Sequence, residues 1–285
     1  MTSPSHKPHA PAPAEAERES LKTQARWGRL AFTIIGPGAV FYMRVIRGNR
    51  IEGVENARRV YRDAIASGRP LLVCPNHLTM FDSIFLHHAF AKITEYLADW
   101  RLFSWNVPAI ENFKQNPFLR AVTYLGKTIP IDRSGDARHH KSVLDKIKYL
   151  VASGEVCTIF AEGGRSRSGR VEPANVTSGV GHILKDLENP QVLCVYLRGA
   201  HQESFSFLPR RGDTLHLYVE LLEPTTHARG LRASRELSRQ VIEKLKEMED
   251  AHFAGAARGG AKTGSNGASP SGGAHGVEAQ SPASA

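Results

Sequence analysis

Short apolar runs and amphipathic stretches alternate along most of the chain, and this rhythm predicts the fold class. Residues 70–74 (PLLVC), 156–160 and 191–197 (QVLCVYL) are unbroken apolar runs, the pattern of strands buried on both faces. Residues 94–98 and 128–131 read as two further strands. Leu215, Leu217, Val219 and Leu221 alternate with polar residues, which predicts a half-exposed strand. Helices are predicted over 57–67, 81–91, 117–125, 136–152 and 176–187. In 136–152, Val143, Leu144, Ile147, Leu150 and Val151 share one face, and Gly154 supplies a stop. Leu237, Val241, Leu245 and Met248 mark a last amphipathic helix. Such alternation predicts an α/β fold: a single domain with a mixed, largely parallel sheet flanked by helices.

The two ends differ from this core. Residues 1–14 are rich in Pro and Ala, and 254–285 in Gly, Ala, Ser and Pro; both are expected to be disordered. The domain proper is assigned to 51–253. Between lies 15–50, whose centre, LAFTIIGPGAVFYM (30–43), is apolar for 14 residues. A single spanning helix takes about 20. Arg26 and Arg29 flank one side, and Arg44, Arg47 and Arg50 the other; Gly36-Pro37-Gly38 should kink or break any helix there. The pattern suits membrane-docking helices that dip into one leaflet, with guanidinium groups reaching back to phosphates. A core helix packed on the domain is the other reading. No early apolar stretch of a secretory signal is present in 1–20.

Charge sharpens this division. The 285 residues carry 37 Lys and Arg against 28 Asp and Glu, a net charge of +9. Residues 1–50 hold +5 of it and 51–253 only +3. A nucleic-acid-binding domain usually carries its basic residues on one face of the folded unit, and no helix-turn-helix, zinc-finger or RNP pattern is found. Anionic lipid at the N-terminus and an anionic small substrate in the core fit the distribution better. The three cysteines, Cys74, Cys157 and Cys194, lie apart in apolar runs, as buried, reduced thiols of a cytosolic folding environment do.

In open α/β sheets, sites form where strands end. The loop after residues 70–74 carries His77 and Asp82; that after 156–160 carries Glu162, Gly163, Gly164, Arg165 and Ser166; that after 128–131 carries Arg133. His77 and Asp82, five apart, would diverge by about 140° on a continuous helix. A turn with Asp82 in the first turn of the next helix could join them, so that the carboxylate fixes the tautomer and the other ring nitrogen serves as a base. A structural histidine is the bland alternative. Adjacent glycines let backbone N–H groups converge on an anion, and Arg165 adds a planar fork suited to phosphate. No GK[ST] follows, so this is not a Walker loop. A solvated turn is the alternative there, and a surface arginine the alternative for Arg133.

These segments resemble a known family. NHLTMFD (76–82) is similar to the NHx4D motif of the glycerolipid acyltransferases, the group that includes 1-acylglycerol-3-phosphate acyltransferase, and FAEGGRSRSG (160–169) to their FPEGTRS motif. LGKTIPIDR (125–133) resembles the intervening block, and VLCVYLRG (192–199) the later one. The resemblance implies transfer of a fatty acyl group from an acyl-CoA or acyl-carrier-protein thioester to the hydroxyl of a lysophospholipid, with 1-acylglycerol-3-phosphate giving phosphatidate as the leading case. It implies His77 as general base, Asp82 as its orienter, and Arg133, Glu162, Gly163, Gly164, Arg165 and Ser166 around the acceptor phosphate. No metal or other cofactor is expected. The implied partners are an anionic membrane surface, the lysolipid and the thioester carrier, not nucleic acid. The expected location is peripheral or monotopic, on the cytoplasmic face of the inner or plasma membrane.

Ala161 stands where the family usually has Pro, Gly164 where it has Thr, and Cys194 where it has Pro. These changes touch the acceptor side, so a different lysolipid, such as a lyso-aminolipid, is an alternative. Two readings of other classes are a metal-dependent hydrolase using His77, Asp82, His87 and His88, and a catalytically silent membrane-binding relative.

Overall fold

A computed structural model describes residues 12–263. Six strands form one sheet: β1 (Arg50–Glu52), β2 (Leu71–Pro75), β3 (Trp105–Asn106), β4 (Cys157–Thr158), β5 (Gln191–Gly199) and β6 (Thr214–Leu222). Their order is β1-β6-β5-β2-β4-β3, and every pairing is parallel except β5 with β6. The sheet is thus mixed and mostly parallel, as the alternating pattern predicts. β2 and β5 are buried at every position, because helices cover both faces. Leu72, Cys74, Val192 and Cys194 point into one core layer, and Leu71, Val73, Leu193 and Val195 into the other. All three cysteines are buried free thiols.

The helices are α1 (Glu15–Phe41), α2 (Val54–Ala66), α3 (Asp82–Phe90), α4 (Ile93–Ala98), α5 (Pro117–Leu125), α6 (Ala137–Ala152), α7 (Gly179–Leu184) and α8 (Gly230–Thr263). Asp136 caps α6 by accepting from the His139 N–H at 2.8 Å. α7 is shorter than the predicted 176–187. It is pressed against the backbone of Ser234, where only the glycine at 181 leaves room. One compact unit closes at Glu249 and the remaining residues form a second. α8 continues to Thr263, past Ala254 where the composition places the start of a disordered tail. Residues 264–285 and 1–11 of the two expected disordered ends lie outside the described residues.

Three elements depart from the sequence pattern. Residues 94–98 are helical rather than extended: the Glu95 carboxylate caps α4 by accepting the Lys92 N–H at 2.6 Å, and Tyr96 is its one buried residue. Short apolar runs do not separate helix from strand by periodicity. Residues 128–131 pair only through two isolated parallel bridges, Thr128 with Asn106 of β3 and Ile131 with Ala109 beyond it. Pro108 and Pro130 each lack the N–H that a regular ladder needs. β1, with the polar sequence Arg-Ile-Glu, is a three-residue edge strand that the apolar pattern does not reveal.

The N-terminal helix is one piece. Gly36-Pro37-Gly38 neither breaks nor ends it: α1 runs through Pro37 to Phe41 and continues as one π-type turn, Tyr42–Ile46. Proline removes one donor, and its glycine neighbours add no Cβ to the crowding. The 32-residue helix Glu15–Ile46 is long and apolar enough to cross a membrane by length and composition. One side packs on the domain. The Gln24 amide donates to the Tyr124 and Thr128 carbonyls, each at 2.9 Å. Phe32 sits 5.2–5.5 Å, ring to ring, from Tyr96, Trp100 and Phe103. The opposite side leaves Trp27, Leu30, Ile34, Phe41 and Val45 exposed at helical spacing.

Candidate active site

β2, β4 and β5 run parallel, so their carboxyl ends meet at one edge of the sheet. Asn76 follows β2 and locks the turn to β5: its side-chain oxygen accepts from the Leu197 N–H at 2.7 Å and its amide donates to the Leu197 carbonyl at 3.2 Å. The chain then turns tightly, and Asp82 becomes the first residue of α3. This brings the His77 Nδ1 and Asp82 Oδ2 to 3.0 Å. The carboxylate is 3% exposed, yet fully occupied. Oδ2 also accepts from the Leu78 and Thr79 N–H groups at 2.8 and 2.9 Å, and Oδ1 from the Thr79 hydroxyl at 2.5 Å. Because an ionised carboxylate only accepts, Nδ1 carries the hydrogen and Nε2 is left with its lone pair.

The second loop packs beneath the first. Glu162 accepts the His77 N–H at 3.1 Å, Ser166 donates its N–H to the His77 carbonyl at 3.0 Å, and the Phe160 ring stacks on the imidazole at 3.9 Å. Burial pushes the Glu162 carboxyl up to about 7, although the His77 N–H pulls the other way. Gly163 has φ +67°, and a Cβ there would strike Thr177. Its carbonyl accepts from Arg133 Nη2 at 2.6 Å, which brings the predicted arginine of the third loop to this one. A Cβ at Gly164 would lie 3.8 Å from that guanidinium, an ordinary contact. Glu162, Gly163, Gly164, Arg165, Ser166, Arg167 and Glu172 line a cavity of about 360 Å³. The Ser166 hydroxyl is turned back to the Arg170 carbonyl and holds the loop closed.

A second cavity, about 370 Å³, borders the same turn and is apolar. Phe32, Ala39 and Val40 of α1 and Met43 of the π-type turn line it with Ile84 of α3, and Met80 and Phe81 of the His77–Asp82 turn lie at its edge. His87 lies in its wall. Burial, with Lys127 nearby, pulls this imidazole down to about 3, so it is neutral. His87 bonds to Asn106, 3.2 Å away, and does not approach His77 as a fellow ligand. Among the described residues, no three His, Cys, Asp or Glu side chains gather as a metal site.

The eight predicted site residues therefore meet in two adjoining loops, with Arg133 reaching across. Sequence reading missed Thr79, Asn76 and Phe160 as their supports. The first two lie inside the NHLTMFD segment, where a short polar residue beside a buried turn was the available signal. Phe160 read only as the end of a strand. The apolar cavity left no local signal, because its walls come from residues 28–43, 80–113, 119–128 and Phe207.

The family model described as Acyltransferase matches residues 49–225, more than half of the chain. No curated protein matches.

Proposed function

The chain belongs to the acyltransferase family, and on that premise we propose that it moves a fatty acyl group from an acyl-CoA or acyl-carrier-protein thioester to the free hydroxyl of a lysophospholipid, 1-acylglycerol-3-phosphate first. The 3.0 Å contact between His77 and Asp82 carries this reading. Nε2 of His77 takes the proton of the acceptor hydroxyl as its oxygen attacks the thioester carbonyl carbon. The tetrahedral adduct collapses with cleavage of the C–S bond, and the imidazolium returns the proton to the departing thiolate. Asp82 does not exchange protons; it holds the ring and stabilises the transient imidazolium. The phosphate of the acceptor is assigned to the cavity of Arg165 and Gly164, with Arg133 beside it. The acyl chain is assigned to the apolar cavity between α1 and α3.

Membrane docking through α1 belongs to the same proposal. The exposed stripe from Trp27 to Val45 suits lipid, while the packed side, from Leu21 to Met43, ties the helix to the domain. Because its N-terminal half is fastened to the domain through Leu21, Gln24 and Gly28, the helix is read as lying in one leaflet.

The test is turnover with radiolabelled acyl donor and a lysolipid panel, following thiol release. His77→Ala is expected to lose about 10²–10⁴ in rate, the usual worth of a general base, with acceptor binding retained. Full activity in that variant would end the mechanism. The second reading, a lyso-aminolipid acceptor, has one observation behind it: Glu162 and Glu172 line the polar cavity beside the arginines, a pairing that suits a zwitterion. Preference for the aminolipid within the same panel would select it.

A further inference from the structure

The segment between β5 and β6 touches the turn that holds Asp82, the polar loop and the rim of the apolar cavity, although no motif marks it. The Ser206 N–H donates to the Leu78 carbonyl at 3.0 Å, and the Met80 N–H to the Phe207 carbonyl at 3.2 Å. Thr79 and Ser206 thus form a parallel bridge. The loop is hydrogen-bonded to the turn that holds Asp82. Phe207 meets Phe81 edge to face, ring centroids 5.3 Å apart, at the rim of the apolar cavity. Phe205 lies under the Arg165 guanidinium, 5.8 Å from its carbon to the ring. The buried Arg198 side chain donates to the Gly169, Gln202 and Glu203 carbonyls and so clamps this loop to the polar one.

The same loop is tied to the end of the N-terminal helix. The Arg47 guanidinium donates to the Pro209 carbonyl, the Gly212 N–H to the Arg47 carbonyl at 2.8 Å, and the Asn49 amide to the Arg210 carbonyl at 2.7 Å. Yet Phe205 and Phe207 stay 43% and 61% exposed, and Arg210 and Arg211 follow them on the surface. The nearby helix end exposes Tyr42, Val45 and Ile46, with Arg44 among them.

We propose that the loop from Glu203 to Arg211 is a second membrane-docking element, which inserts Phe205 and Phe207 into an anionic phospholipid surface and seats the mouth of both cavities on the bilayer. The proposal rests on the acyl-transfer reading only for its consequence, not for the docking itself. Two aromatic rings followed by two guanidinium groups match the order of acyl region and phosphate layer. The bonds from Pro209, Arg210 and Gly212 to Arg47 and Asn49, just past the Tyr42–Ile46 turn, set this loop beside the end of α1. Because the loop bridges to Thr79 and packs on Arg165, a lipid that orders it also orders the base and the anion cavity.

Full-length protein is tested with vesicles of phosphatidylcholine with phosphatidylglycerol. Phe205→Ser/Phe207→Ser should weaken vesicle binding roughly tenfold or more, given the apolar area lost. Arg210→Gln/Arg211→Gln should weaken it roughly tenfold at low salt, and less on vesicles of phosphatidylcholine alone. A nitroxide on Phe207→Cys should report burial below the headgroups; the native thiols are buried and stay unlabelled. The ratio of activity on vesicle-embedded acceptor to activity on a short-chain monomeric acceptor should fall with vesicle binding. Unchanged vesicle binding in both double variants, or a nitroxide that stays in water on bound protein, overturns the proposal. Equal loss on both acceptors with binding intact would make the loop a support of the site and not a docking element. If no acceptor is turned over by any form, the acyl-transfer reading fails, while binding and nitroxide depth still decide the docking.

Discussion

Two cavities of nearly equal volume, the apolar one lined by Met80 and Phe81 of the His77–Asp82 turn and the polar one by Glu162 and Ser166 that bond the His77 backbone, are made in opposite ways. The polar one is the inside of a single loop, 162–172, shaped by backbone: two glycines at positive φ, Gly163 and Gly169, a carbonyl held by Arg133, a hydroxyl closing the turn. The apolar one is a gap between α1, α3 and α5, shaped only by side chains from distant stretches. The first has a fixed form before any substrate arrives. The second depends on how α1 sits. Specificity for the acceptor head should therefore be brittle to single backbone changes, and specificity for the acyl chain graded.

The largest expected break in that contrast is Gly163→Ala. The methyl group would meet Thr177 and hold a non-glycine residue at φ +67°, a cost of about 1–3 kcal/mol. Urea unfolding should show that loss, and acceptor affinity should collapse with it. Gly164→Thr adds a side chain where a Cβ meets only an ordinary contact; its unfolding midpoint should match the wild type. If both variants behave alike, the loop is not held by the glycine at 163, and the polar cavity is as adaptable as the apolar one.

Ala39→Phe tests the other side with a smaller effect. Ala39 lines the apolar cavity from α1, and a ring there shortens it. Long-chain donors should lose several-fold in kcat/KM relative to short ones, as one or two methylenes' worth of contact does. Acceptor preference should not move. A uniform loss across chain lengths would mean that the acyl chain lies elsewhere.

The same division explains what could be read from the chain. The polar site was legible because its parts are local: His77 and Asp82 five apart, Glu162 to Ser166 consecutive, each directly after an apolar run. Local spacing also placed α5 and α6 within a residue of their observed ends, and α2 within three. The failures are of two kinds, local signals that apolar patterning overlooks and contacts that only the assembled fold makes. Residues 94–98 became helical through one carboxylate cap, and 128–131 lost regular pairing to prolines on both partners. The helix at Pro37 stayed whole although local rules predict a break; packing of Gln24, Gly28 and Phe32 on the domain holds the helix on the N-terminal side of Pro37. A Cβ at Gly28 would fall 2.6 Å from the Leu125 carbonyl, a close approach that only the assembled fold reveals.

The smallest expected effect concerns Glu162, where the polar cavity stores a proton. Its carboxyl titrates near 7 in the fold against an ordinary 4.5, chiefly from burial. A carboxyl raised on folding keeps a proton that the unfolded chain gives up. Its contribution is present below pH 4.5 and is lost as pH rises through about 7. Stability should therefore decline across that window, and Glu162→Gln should flatten the decline, as urea unfolding at stepped pH will read. The consequence for function has the same sign. Below about 7 the neutral acid tolerates a phosphate beside Arg165; above it a carboxylate repels one. KM for a phosphorylated acceptor should rise past that point in the wild type and stay flatter in Glu162→Gln. The acceptor's own ionisation is common to both proteins, so the difference between their profiles isolates Glu162. Superimposed profiles would show that its proton does not govern the cavity, and would leave the arginines alone to set the affinity.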